Sequence, residues 1–385
     1  MATMRNLRSS VMDNNNQELL QRPGKGGALE TGRSALGNLD NVLGQRGRTA
    51  PGDKPGAERA PHRKPERSRG KSKEEDLAPV LPPSSVVLPM DLGLETGFSA
   101  LPVVEDIDRD DLDDPQMVTE VVEDVYAYLR VLERKQEIKH NYLLGPGIAI
   151  TPKMRSVLID WLLDVHQQFK LLQETLYMTV YIIDRYLQSL QLIGVTAMFI
   201  ASKYEEMYAP EIRDFVFITD STYTEAQIRS MERKMMGAIQ FELGRPLPLH
   251  FLRRYSKAGF VNAKIHTLAK FIMELSLVEY KLAHIYPSML AAGALAYSMR
   301  VLEEDKSLTL EEMWTPTLVH YSTYAIDDIL PLVKELAKLV QKTVNAPKDA
   351  KLMQVRKKYA GRKYFGISQH ALLKSTVALN LSEEE

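Results

Sequence analysis

The 385 residues include no cysteine. That excludes structural disulfides, thiol catalysis, Cys-ligated zinc modules and iron–sulfur clusters, and it suits a reducing compartment. Long apolar runs are missing too: the most hydrophobic stretch, Leu192–Ala201, is about half the roughly 20 residues a membrane-spanning helix needs. Met1–Ser10 has no apolar core of the kind a secretory signal requires. The expectation is a soluble intracellular protein. Charge of one sign is scarce as well, with 49 Lys+Arg against 50 Asp+Glu. Beyond residue 119 the balance is 33 against 31, which argues against a chain whose main work is nucleic-acid binding. No His-Glu-x-x-His or Gly-x-Ser-x-Gly occurs, and Gly70-Lys71-Ser72 fails as a phosphate loop because Pro65 stands where a glycine is required. No enzyme activity, cofactor or metal is expected.

Aromatic residues are absent from one region in particular. Of 17 tyrosines, ten phenylalanines and two tryptophans, only Phe98 lies in the first 119 positions. Such a segment has little with which to build a core and reads as a disordered tail. Its charges come in blocks: ten Lys/Arg between Gln45 and Lys73, then seven acids between Glu105 and Asp114, an acidic hinge before the first helix. The basic block is either solvated linker or a nuclear-import or nucleic-acid segment. The tail has no Ser-Pro or Thr-Pro for proline-directed phosphorylation. Leu92, Leu94, Phe98, Leu101, Val104 and Ile107 are spaced two to four apart, as in an export signal or the start of ordered packing. Gly32–Asn41 offers a cation, two leucines and an amide that an extended segment can dock into a groove. It resembles a destruction box, the degron read by the anaphase-promoting ubiquitin ligase, at Arg33, Leu36, Leu39 and Asn41. Lys25, Lys54, Lys64, Lys71 and Lys73 are nearby ubiquitin acceptors.

After Pro115 the periodicity is helical throughout. Val118, Val121, Val122, Val125, Tyr126, Leu129 and Leu132 form one face behind Asp113-Asp114-Pro115. Thr151-Pro152 reads as N-cap and first residue of a helix whose apolar residues cover most of its circumference. That breadth means burial on nearly every side, or a helix that also offers a docking surface. Further helices are expected over 174–188, 192–207, 210–219, 224–239, 249–257, 262–275, 287–301, 310–314 and 325–344. Arg245-Pro246-Leu247-Pro248 cannot be helix interior and divides the region in two.

Met154–Leu162, Leu172–Tyr177, Ile183–Leu187, Ala201–Glu206 and Phe217–Asp220 resemble the cyclin box. Gly244–Arg254 and Arg356-Lys357-Lys358-Tyr359 are similar to B-type (G2/mitotic) cyclins. Glu105–Asp108 and Val165-His166 lean toward the second vertebrate subtype. The resemblance implies an all-α fold of two tandem five-helix cyclin boxes behind a disordered tail. The divisions are 1–115 tail, 116–246 N-terminal box with its leading helix, 247–345 C-terminal box and 346–385 extension. It implies a regulatory subunit that binds and activates a mitotic cyclin-dependent kinase at the G2/M transition. The expected location is cytoplasm and nucleus, with the centrosome as a further site.

Residue by residue, the resemblance places kinase contacts at Lys203 and Glu232, with Tyr204, Phe241, Tyr126 and Tyr128 beside them; by themselves these read equally as surface charges and core aromatics. It places a patch for Arg-x-Leu substrates at Met154, Leu158 and Trp161, with Asp164 and Gln191 at its edge, although the same triad fits a core stripe. Arg253, His266 and Lys270 match a pocket for phosphorylated partners, and Arg155 and Asp184 a buried interhelical salt bridge. The family's longer, basic turn after Gln188 is reduced here to Ser189. Either a flanking helix unwinds to make the turn, or folding is impaired. A general transcription factor with paired cyclin-like repeats is the competing reading, but it expects basic DNA-facing helices and a Cys-rich ribbon.

Overall fold

The computed structural model describes residues 103–383 apart from 146–149, 187–189, 304, 306, 348–349 and 351, and among these residues every regular element is helical. A leading helix, α1 (Val122–Lys135), precedes a first box of α2 (Pro152–Phe169), α3 (Gln173–Arg185), α4 (Leu190–Glu205), α5 (Ile212–Ile218) and α6 (Glu225–Ala238). The second box comprises α7 (Pro248–Ala258), α8 (Ala263–Val278), α9 (Pro287–Leu302), the single turn α10 (Leu310–Met313), α11 (Pro316–Ser322) and α12 (Ile326–Val344). Two further helices, α13 (Gln354–Tyr359) and α14 (Thr376–Glu383), lie in the C-terminal extension, where no helix was expected, and α14 packs against α12. Helix α11 lies outside the expected spans as well.

The caps follow local chemistry. Thr151 Oγ1 accepts from Met154 N–H at 3.2 Å with Pro152 at the first position of α2. Thr224 and Gln227 form a reciprocal box at the start of α6, at 2.8 and 3.3 Å. Asp113-Asp114-Pro115 starts only a 3₁₀ turn, in which Asp114 accepts from Gln116 N–H; Val118 then takes φ 51, and α1 begins four residues later than the apolar spacing suggests. Helix α3 stops at Arg185, Tyr186 is extended and α4 starts at Leu190, while residues 187–189, and with them the short connection around Ser189, lie outside those described.

Helix α2 is apolar nearly all round because it serves two cores. Leu158, Leu162 and Val165 pack within the first box, while Ile159 and Leu163 belong to the core centred on the second. Helix α3 divides likewise, with Met178 and Ile182 on one side and Leu176 and Val180 on the other. Helices α2 and α4 approach closely at Gly194, where an added Cβ would lie 2.8 Å from Leu158 Cδ1.

Buried polar clusters tie the parts together. Arg155 and Asp184 form a bidentate pair at 2.7 Å for both bonds, as the resemblance implied; Tyr142 OH donates to Asp184 at 2.6 Å, and Arg155 Nη1 donates to Leu277 O of α8 at 2.9 Å. Glu274, fully buried on α8, accepts from Lys358 Nζ (2.7 and 2.9 Å), Tyr359 OH (2.9 Å) and Gln173 Nε2 (2.6 Å), so the extension grips both boxes. A third cluster corrects the acidic hinge. Asp108 accepts from Arg254 (2.6 and 2.5 Å) and Lys257 (2.7 Å), Lys257 also reaches Asp111 (2.8 Å), and Ile107 sits in the core. Asp108 and Asp111 are clasped to α7 because the buried Arg254 guanidinium needs a counter-charge and the half-buried Lys257 bridges the two acids. Ile107, the last residue of the Leu92–Ile107 stripe, thus packs in the core, while residues 92–102 lie outside those described.

Replacing Arg155 by Ala strands the Asp184 carboxylate and is expected to cost about 3–5 kcal/mol in urea unfolding. Burial pushes the Asp108 carboxyl up, but hydrogen bonds and charge from Arg254 and Lys257 outweigh this and hold it below its ordinary value. A depressed folded-state value gives stability that is present above the unfolded value of about 4 and is lost as pH falls through the folded one. Asp108→Asn is therefore expected to lower Tm at pH 7 and to flatten the acid limb of a Tm-against-pH curve below about pH 4.

Candidate functional site

The last turn of α4 and the middle of α6 meet at the surface. Ala201 and Ser202 are buried against the first box, which turns Lys203 and Tyr204 outward. On α6, Ile228 and Met235 are buried and leave Glu232 at the rim. Lys203 and Glu232 pair with each other, and the Lys203 ammonium lies 4.2 Å from the centre of the Phe199 ring. On one side of the pair is a groove of about 440 Å³ lined by Ile200, Tyr204, Met236, Phe241 and Leu243. On the other is one of about 580 Å³ lined by Phe199, Pro210, Ile212, Arg213 and Arg229. The site thus presents a paired charge between two partly apolar depressions.

Phe241 is 71% exposed. It follows α6 in two consecutive left-handed residues, Gln240 (φ 54) and Phe241 (φ 60), where the Phe241 N–H donates to Met236 O at 3.0 Å. Holding a bulky residue at positive φ costs about 1–3 kcal/mol, and such strain clusters at ligand clamps. Met207, Tyr208 and Phe217 are also exposed; Phe217 begins the Phe217–Asp220 motif, whereas Met207 and Tyr208 belong to none of the expected site groups. Met207 and Tyr208 follow α4 in a turn, as large apolar residues with no helical face to join. Tyr128 is exposed on α1. Tyr126 is a correction: its hydroxyl donates to His250 O at 3.0 Å, its ring lies edge-on to Phe251, and Arg254 covers it, so it holds α1 to α7.

The docking triad is likewise corrected. Leu158 is fully buried at the contact with Gly194, and only Met154 and Trp161 remain half-exposed. Asp164 accepts from Gln168 Nε2 at 2.8 Å, and Gln191, one turn before Gly194, is 3.5 Å from Tyr223 OH. Arg253, His266 and Lys270 do converge, but with less charge than three cations. Arg253 pairs with Glu174 at 2.5 Å. Burial, then Lys270 and Arg253, push His266 down to about 3, so it is neutral at pH 7 and its Nδ1 lies 2.8 Å from Ser256 Oγ. Burial also brings Lys270 down to about 8. The degron residues Arg33, Leu36, Leu39 and Asn41 lie outside the described residues.

Replacing exposed Phe241 by Ser should leave urea unfolding within about 0.5 kcal/mol of the parent. Leu158→Ala, by contrast, should cost about 2–5 kcal/mol, and equal effects would contradict these placements.

Known proteins agree with this architecture. The family model "Cyclin, N-terminal domain" matches residues 124–244, and "Cyclin, C-terminal domain" matches 246–373. The G2/mitotic-specific cyclin-B of Patella vulgata is 50% identical over 285 residues, covering 72% of this chain and 67% of that protein. That of Spisula solidissima is 49% identical over 315 residues, covering 79% and 71%. Cyclin-B2 of Anguilla japonica is 47% identical and cyclin-B1 of Xenopus laevis 48%, covering 79% and 72% of this chain and 79% and 69% of those proteins, so identity does not separate the subtypes. The chain belongs to the G2/mitotic-specific cyclin-B family.

Proposed function

We propose that this chain binds and activates a mitotic cyclin-dependent kinase through the surface around Lys203 and Glu232, and so controls the G2/M transition. The observation that carries the reading is the exposed ion pair set between two grooves, with Phe241 held outward beside it. A helical surface of this kind supplies no catalytic group. It acts by binding the active arrangement of the kinase more tightly than the inactive one, which shifts the population toward alignment of the kinase's Lys–Glu pair and activation segment. Lys203 and Glu232 provide oriented charge, and Tyr204 and Phe241 provide apolar anchors.

The same reading gives the tail to the anaphase-promoting ubiquitin ligase through Arg33, Leu36, Leu39 and Asn41, with cycling between cytoplasm and nucleus. Arg253 and Lys270 are offered to a phosphorylated partner, and Met154 and Trp161 to Arg-x-Leu substrates.

The test is to mix the chain with inactive monomeric kinase and measure histone phosphorylation. Activation is expected. Exchanging the charges (Lys203→Glu with Glu232→Lys) retains an internal pair, so Tm should stay within about 2 °C, while activation should fall about tenfold or more because the partner meets inverted charge. A correctly folded chain that does not activate sinks the proposal, and full activity of the exchanged variant removes the assigned surface.

A further inference from the structure

The sequence contains two Thr-Pro dipeptides, Thr151-Pro152 and Thr315-Pro316, and no Ser-Pro. Both threonines are exposed helix N-caps: Thr151 Oγ1 accepts from Met154 N–H at 3.2 Å, and Thr315 Oγ1 from Leu318 N–H at 3.3 Å. Their surroundings differ. Met313 and Trp314 before Thr315 are buried, as are Thr317 and Leu318 after it. Trp314 Nε1 donates to Tyr324 O at 3.0 Å, and Thr317 Oγ1 accepts from Glu105 N–H at 3.0 Å. Laying Thr315 in an enzyme cleft would require pulling this core segment apart.

Around Thr151 the following residues are open: Lys153 is exposed, and Pro152 and Met154 are only half-buried. The anchors are Ile150 behind it and Arg155 four residues ahead. Thr151 is already extended, at φ −93 and ψ 156, and the first turn of a helix opens at small free-energy cost. The structure thus separates two dipeptides that are equivalent in sequence.

We propose that Thr151 is a phosphoacceptor for a proline-directed Ser/Thr kinase using ATP. The Thr151 hydroxyl oxygen attacks the γ-phosphorus, the bond from that phosphorus to the β,γ-bridging oxygen breaks and ADP leaves, and the hydroxyl proton passes to the kinase. The product carries a charge of about −1.5 to −2 at the start of α2. First-turn N–H groups and the helix dipole favour an anion there, and Lys153 lies two residues on. A phosphate oxygen takes over as acceptor for Met154 N–H. The new charge falls within one turn of Met154, so the half-exposed edge formed with Trp161 becomes locally negative and favours cationic peptides. The inference does not depend on the kinase-binding surface at Lys203 and Glu232.

The test uses the full chain, ATP and a proline-directed kinase that is already active without it, with phosphate mapped by mass spectrometry. Phosphate is expected on Thr151 and not on Thr315. Pro152→Ala keeps the capping hydroxyl but removes the recognised proline, and should lower Thr151 occupancy about tenfold; the phosphorylated parent should melt about 1–3 °C higher. An unmodified Thr151 while a Thr-Pro control peptide is phosphorylated overturns the proposal. So does labelling that is insensitive to Pro152→Ala, or preference for Thr315. A lower Tm on phosphorylation overturns the placement of the phosphate at the helix end.

Discussion

The Arg155–Asp184 pair is the constraint on which the arrangement of the two boxes rests. Its charges are taken out of water between α2 and α3, and further partners meet them there: Tyr142 reaches Asp184 from the segment before α2, and Arg155 reaches the carbonyl of Leu277 in the second box. Burying a charge without such partners would be prohibitive, so the pair tolerates few alternative positions of the elements around it. It fixes how α2 and α3 are rotated. With that rotation set, Ile159, Leu163, Leu176 and Val180 face the second box while Leu158, Leu162 and Met178 face the first. One pair of helices then serves two cores.

The other buried clusters extend the same logic outward. Glu274 draws the extension onto α8 and α3, and Asp108 draws the segment before α1 onto α7. Glu133 of α1 accepts from the N–H and hydroxyl of Ser288 at the start of α9, at 2.9 and 2.5 Å. Each is a buried carboxylate whose partners meet it only in the assembled fold; at Asp108 they outweigh burial, whereas at Glu133 burial prevails and pushes the carboxyl above its ordinary value. The surface at α4 and α6 lies apart from these anchors and holds Phe241 outward in a left-handed conformation.

Much of this was legible in the sequence. The helical spacing after Pro115 and the Arg245–Pro248 break pointed to an all-α chain in two blocks, because periodicity and proline chemistry are local. The motif at Met154–Leu162 and the residues Lys203 and Glu232 gave the family and a surface to inspect. Helix ends were misplaced by a few residues, and α1 starts at Val122 rather than at Val118, because a left-handed residue intervenes. Helices α11, α13 and α14 lie outside the expected spans, although α5, as short as α11, lies within one.

Which side of an apolar helix faces water was beyond the sequence. Met154, Leu158 and Trp161 share one stripe, yet Leu158 is fully buried and its neighbours are half-exposed, since Gly194 brings another helix onto that one position. Tyr126 and Tyr128 are two residues apart, and only packing against α7 decides that one is an internal strut and the other a surface residue. Arg253, His266 and Lys270 are all nominal cations, but His266 is neutral because the fold buries it beside two charges. By itself the sequence determined secondary structure, family and the identity of the charged residues, since these depend on neighbours along the chain. The tertiary structure decided exposure, protonation and pairing, since each depends on groups that lie far apart in the chain and meet only when it folds.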